Sequence, residues 1–331
     1  MNLRTLGFCL LAAAATATAA IDPVLLNLVM PDAKILSGIQ VDQSVASPFG
    51  QYLLTQMQAG DATFQKFILA TGFDPRRDLN QVLAATNSDG TSTSPSVLAL
   101  GRGTFVPSQI LAAAIAQGGV ITPYRGFNII APPAPAQTTT SNTTGPNTAA
   151  SNTAMVFLDG TTAAAGDIAS VQGAIDRYLT PTTYSTPLGQ KAQAVSVINQ
   201  AWFATTTPLS VFLGGKLGGT GLNSVNQNNL LQSVLQASGG VNFGSNAVTV
   251  TGDAVTASGQ NAQALVDVLK FVVSMIPSSD PKVASLASSA TFTVNGTTAH
   301  LSLSLAELQI EQLFMPSTGA KAKKARPAQL R

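Results

Sequence analysis

The sequence predicts an α+β fold of two related strand-helix-strand-strand-helix units, with mostly antiparallel sheets and helices packed on one face. Three observations predict it. Strand-like segments are segregated into hairpins rather than alternating one by one with helices, and several pairs are joined by turns too short for the crossover a parallel sheet needs. Two distant helical segments share one apolar rhythm: Val171, Ala174, Ile175 and Tyr178 overlay Ala262, Leu265, Val266 and Leu269. Finally, 45% of the 331 residues are apolar and only 10% charged, a globular composition with a neutral, hydrogen-bonding surface.

Residues 1–20 have the layout of a secretory signal: Arg4, an apolar run from Leu6 to Ala15, then the small residues Ala17-Thr18-Ala19. The run is too short to be a membrane span. Cleavage after Ala19 or Ala20 leaves a mature chain of about 311 residues. The single cysteine, Cys9, lies inside this segment, so the mature chain can form no disulfide. A lipobox reading of Leu6-Gly7-Phe8-Cys9 lacks an apolar run ahead of the cysteine. The expected location is secreted or periplasmic.

The N-terminal unit spans residues 21–180. Ile21–Met30 is a short apolar stretch, broken by Asp22-Pro23, that docks on the core; Asp32–Asp42 alternates as a strand. Ser47-Pro48 offers a cap and a first-turn proline for a helix to about Met57. A second helix, Thr63–Ala70, ends at Gly72. The turn Phe73-Asp74-Pro75-Arg76-Arg77-Asp78-Leu79 leads into a short helix to about Ala85. Next come a strand (Ser96–Gly101), a helix (Val106–Gln117), paired strands (Thr122–Ala131 and Ala154–Ala163, the second bearing the turn signal Asp159-Gly160) and a helix (Asp167–Leu179). The insertion 132–153 has almost no apolar side chains and reads as a disordered surface loop.

The C-terminal unit spans residues 191–315. It reads as a strand (Ala201–Thr206), a helix (Asn226–Ala237) ended by Gly239-Gly240, strands within Asn246–Ala257, and an amphipathic helix, Gln260–Met275. Thr291–Val294 and Ala299–Leu305 form a hairpin around Asn295-Gly296, followed by a helix, Ala306–Phe314. Residues 316–331 form a disordered basic tail. That tail carries Lys321, Lys323, Lys324, Arg326 and Arg331, so residues 21–315 hold 11 basic residues against 15 acidic ones. With no basic stripe to neutralise phosphates, nucleic acid is not an expected partner.

The inventory of reactive groups is short. His300 is the only histidine and shares a strand face with Ser302 and Ser304, opposite Leu301, Leu303 and Leu305. A zinc site of imidazoles or thiolates has no second ligand of either kind, and no Gly-x-Ser-x-Gly elbow exists for a serine nucleophile. The only glutamates, Glu307 and Glu311, are one helical turn apart and read as a solvated face. Gly214 to Gly221 around Lys216 lacks the order of a phosphate loop. No cofactor, metal or catalytic residue is assigned.

Two clusters are candidate binding residues. Asp74, Arg76, Arg77 and Asp78 concentrate charge in a charge-poor chain, and two arginines can hold an anionic ligand. The competing reading has an aspartate capping the next helix while an arginine pairs locally. Lys321, Lys323, Lys324 and Arg326 can contact an anionic envelope surface weakly.

The stretch Gly72 to Leu79, followed by the strand Ser96-Val97-Leu98-Ala99-Leu100, resembles uncharacterised secreted bacterial α+β proteins of unknown function. Those proteins place a Gly-apolar-Asp turn, with a second Asp four residues on, before their first sheet strand. Val29-Met30-Pro31-Asp32-Ala33 is similar to the same proteins, and the match covers the first third of the chain. The resemblance implies a repeated α+β architecture and carries no activity.

The expected function is therefore an exported, non-catalytic protein with a binding or structural role at the bacterial cell envelope, its partner an envelope component or another protein. The alternative is a secreted hydrolase using Asp159, Asp167 or Asp253 as acid, base or metal ligand. That alternative requires two of these carboxylates in one pocket, roughly 5–9 Å apart.

Overall fold

The computed structural model describes residues 20–58, 62–89, 92–132, 153–208, 232–274, 289–306 and 309. Its frame is a single 12-stranded sheet in which every neighbouring pair is antiparallel. In chain order the strands are β1 (Ile35–Gln40), β2 (Leu79–Thr86), β3 (Val97–Gly103), β4 (Val120–Tyr124), β5 (Phe127–Ala131) and β6 (Thr153–Phe157). The rest are β7 (Thr162–Asp167), β8 (Ala201–Thr205), β9 (Val234–Phe243), β10 (Ala247–Thr256), β11 (Ala290–Asn295) and β12 (Thr298–Ala306). Across the sheet they run β11-β12-β10-β9-β8-β1-β2-β3-β7-β6-β5-β4, so β1 joins the two expected units by pairing with both β8 and β2.

The helices are α1 (Pro23–Asn27), α2 (Val41–Ala46), α3 (Pro48–Gln58), α4 (Ala62–Thr71), α5 (Pro75–Asp78), α6 (Pro107–Ala116), α7 (Ile168–Leu179), α8 (Pro187–Ser196) and α9 (Gly259–Ser274). Local chemistry explains where many begin. Asp22, Asp74, Asp167 and Thr186 each accept a backbone N–H of the first turn with a side-chain oxygen, and α1, α5 and α8 open on proline. Gly72, at φ 67°, ends α4.

Helices cover both faces of the sheet, which corrects the expectation of one. Strand alternation sets the two faces. On the back, Leu36, Leu83, Leu98, Leu100, Val156 and Trp202 pack against Leu25 and Leu28 of the α1 region, Val171 and Ile175 of α7, and Leu188 of α8. Trp202 lies over Gly38, its cross-strand partner, so closely that a Cβ on Gly38 would sit 2.5 Å from the indole ring. On the front, α9 packs through Ala262, Leu265 and Val266 against Ala254, Phe292 and Ala299. Phe49 of α3 packs on Val248 and Leu305 of the same face, and α4 and α6 pack on each other. A sheet this wide has apolar residues on both faces, and one layer of helices leaves half of them in water.

Other expectations are also corrected. The segment to Ala85 is strand β2, not a helix: Leu83 and Ala85 are buried on the back face and paired on both sides by β1 and β3. The part of Asn226–Ala237 that is described begins β9, and Gly239 and Gly240 lie mid-strand opposite Gly252 and Thr251 rather than ending a helix. Thr122–Ala131 is the hairpin β4–β5, turned by Arg125 and Gly126, both at positive φ (47° and 88°). Within Ala154–Ala163, the Asp159-Gly160 signal falls in the turn between β6 and β7, as expected. Helix α8 begins in the stretch between the two expected units, residues 181–190, and runs on to Ser196. Most of the insertion 132–153, residues 310–314 of the expected last helix and all of 316–331 lie outside the described residues; β12 itself runs to Ala306.

Candidate functional site

The charged turn is locally closed. Arg76 donates through Nε and Nη2 to the two carboxylate oxygens of Asp74 (2.8 and 2.7 Å), and Arg77 likewise to Asp78 (2.7 and 2.8 Å). Asp78 also accepts the Asp74 amide at 2.8 Å, and the Arg76 guanidinium lies over the Phe64 ring. The Arg76 guanidinium holds the Asp74 carboxyl below the usual carboxylate range, and Arg77 does the same to Asp78. Asp74, Arg76, Arg77 and Asp78 thus come together, but their charges are spent on each other in pinning α5. The second candidate cluster, Lys321, Lys323, Lys324 and Arg326, lies outside the described residues.

What the turn positions is apolar. Phe73 precedes it and Leu79 follows, and both line a cavity of about 230 Å³ between α4, α6 and the front face of the sheet. Phe67 of α4 and Ile110 of α6 close it above, and Val82, Ala99, Gly101, Ala163 and Ala165 form the floor. A run of rings borders it: Phe67–Phe73, Phe73–Phe105 and Phe105–Phe157, with centroids 6.3, 5.5 and 5.3 Å apart. Every lining residue is apolar. The cavity exists because β3 and β7 put alanine and glycine on this face, leaving room beneath the helices that larger side chains would fill. Phe67, at its margin, is 39% exposed. An engineered apolar cavity of ~150 Å³ admits benzene, so this space suits a hydrocarbon and offers an ion nothing.

The three aspartates of the hydrolase alternative lie apart. Asp159, in the β6–β7 turn, accepts from Thr161 N (2.6 Å), Thr161 Oγ1 (2.7 Å) and Tyr178 OH (2.9 Å). Asp167, at the other end of β7, accepts from Ser170 N and Oγ and from Val97 N, all within 2.9 Å. Burial pushes both carboxyls up, but these hydrogen bonds outweigh it and hold both below the ordinary value. Asp253 is six strands away on β10, about 29 Å at the usual strand spacing. There its Oδ1 meets Nδ1 of cross-strand His300 at 2.7 Å, with the two side chains 40% and 41% exposed. The pair lies on the polar back face with Ser302 and Ser304, the face that strand alternation gives His300 from the sequence. Among the described residues no group of three His, Cys, Asp or Glu side chains forms a metal-binding cluster, and no helix is long and apolar enough to cross a membrane.

Nothing in the sequence singles out the cavity, because its residues are ordinary apolar side chains. The signal that could have marked it is the small-residue strand pair, Ala99 and Gly101 beside Ala163-Ala164-Ala165-Gly166.

No protein-family model matches the chain, and no curated protein matches it. Solved structures do. Crystal form III of TP0453 superposes with a TM-score of 0.51 at 11% identity, covering 89% of this chain and 98% of that one. Crystal form IV of TP0453 gives 0.50 at 10% identity, covering 89% and 97%. At this identity the likeness shows a shared α+β fold and nothing further.

Proposed function

We propose that this chain is an exported, non-catalytic binding protein of the bacterial cell envelope, and that it holds the hydrocarbon chain of an envelope amphiphile in the cavity beneath α4 and α6. One observation carries the reading: the cavity is lined by apolar residues alone, with Phe67 part-exposed at its margin. Burying a methylene contributes about 0.8 kcal/mol, so even a few carbons bind usefully. The basic tail residues would hold the protein near an anionic surface, where such ligands are found.

The halves of the chain also read as a duplication. A three-strand meander, a front-face helix and a hairpin whose second strand pairs with the third meander strand occur as β1-β2-β3-α6-β6-β7 and again as β8-β9-β10-α9-β11-β12. The N-terminal half carries an additional hairpin, β4–β5, between α6 and β6, and continues into α7. This phase differs from the strand-helix-strand-strand-helix unit read from the sequence.

A local test uses Met155, which lines the cavity. With methionine methyls labelled with ¹³C, decanoate should shift the Met155 resonance, assigned by its loss in Met155→Leu. It should leave that resonance in place in Gly101→Val, where a side chain fills the floor. A Met155 signal unmoved by millimolar decanoate would refute the reading. A hydrolase would have to rest on the Asp253–His300 contact in place of paired carboxylates; that reading predicts an esterase activity lost in His300→Ala.

A further inference from the structure

We infer that each molecule has a second site for a hydrocarbon chain, under α9 in the C-terminal half, and so holds two chains at once. The inference rests on reading the first cavity as a ligand site. A second cavity of about 230 Å³ lies between α9 and the front face. Leu265 and Leu269 of α9 roof it, and Phe203, Ala237, Gly252 and Leu301 contribute from the sheet. Asp253 and His300 also border it, but strand alternation and their mutual hydrogen bond put their side chains on the back. As with Phe67 at the first cavity, an aromatic ring at the margin is part-exposed: Phe203 at 42%.

The strand glycines supply an independent observation. A Cβ on Gly38, Gly239 or Gly240 would come within 2.5 Å of a neighbouring atom, and on Gly103 or Gly166 it would strike a backbone carbonyl. Packing explains those glycines. At Gly101 and Gly252 the nearest atoms are at 3.5 and 3.9 Å, ordinary contact distances. A glycine within a strand weakens it, and where no neighbour demands one it marks close approach by something else. These two roomy glycines occupy corresponding strands, β3 and β10, on the same face, each in a cavity floor. Only β1 separates Val82, at the edge of the first cavity, from Phe203, at the edge of the second: Ile39 pairs with Val82 and Ser37 with Phe203. Two strand spacings across and two residues along put the two margins about 12 Å apart, close neighbours on one surface but separate sites.

Native mass spectrometry of the mature chain with decanoate, supported by titration calorimetry, reads the stoichiometry. Wild type should bind two decanoates, Gly101→Val one, Gly252→Val one, and the double variant none. If Gly252→Val does not fold, as judged by circular dichroism, Gly252→Ala serves; its methyl should weaken only the second binding step, by at least threefold. One decanoate on wild type, kept by Gly252→Val and lost by Gly101→Val, would overturn the second site and leave the first standing. No decanoate on wild type would overturn both.

Discussion

Replacing Gly101 by valine should stabilise the fold, an unusual outcome for a substitution in the middle of a central strand. The new Cβ meets Leu79 Cδ2 at 3.5 Å and Phe105 Cζ at 3.7 Å, so it enters without collision. The rest of the side chain extends into about 230 Å³ of open apolar space. Burying a valine side chain is worth about 1.5–3 kcal/mol, and strand preference adds up to about 1 kcal/mol over glycine. Lost rotamer freedom and incomplete filling offset part of this, leaving a gain of roughly 1–2 kcal/mol. At about 2–4 °C per kcal/mol for a large domain, Tm should rise by about 2–8 °C, read by circular dichroism or calorimetry. Gly103→Val is the control. Gly103 is two residues along on the same face, but its Cβ would strike the Asp78 carbonyl, so this variant should lose stability. If both variants are equally destabilised, the space over Gly101 is not open and no ligand can be held there.

Other outcomes follow from the same geometry. Gly38→Ala drives a methyl against the Trp202 ring at 2.5 Å and should cost about 1–3 kcal/mol by overpacking. Trp202 is the only tryptophan, so its emission in urea titrations follows the change directly. Asp167→Ala removes the cap of α7 and an acceptor for Val97 N; a loss of about 1–2 kcal/mol is expected, measured as a lower urea midpoint with unchanged slope. Asp74, Asp78, Asp159 and Asp167 all have carboxyls held below the ordinary value when folded. Their stabilisation is complete above the unfolded value near 3.9 and is lost as pH falls through the lower folded values. Urea midpoints should thus be level above about pH 5 and decline below about pH 4, less steeply in Asp159→Asn.

The division between what could and could not be read from the chain is physical. The sequence by itself determined α3, α4, α6, α7, α9 and the β11–β12 hairpin to within a few residues, because caps, first-turn prolines and the Asn295-Gly296 turn act over one turn of chain. It also determined the face of His300, since alternation needs only the strand. Tertiary structure alone decided that residues 79–86 and 234–243 are strands: their apolar residues suit either period, and the sheet partners arbitrate. It decided, too, that Asp74 to Asp78 satisfy one another. Above all it decided where the alanines and glycines of β3, β7 and β10 leave space. A cavity is a property of residues distant in sequence failing to meet, and no local pattern records it.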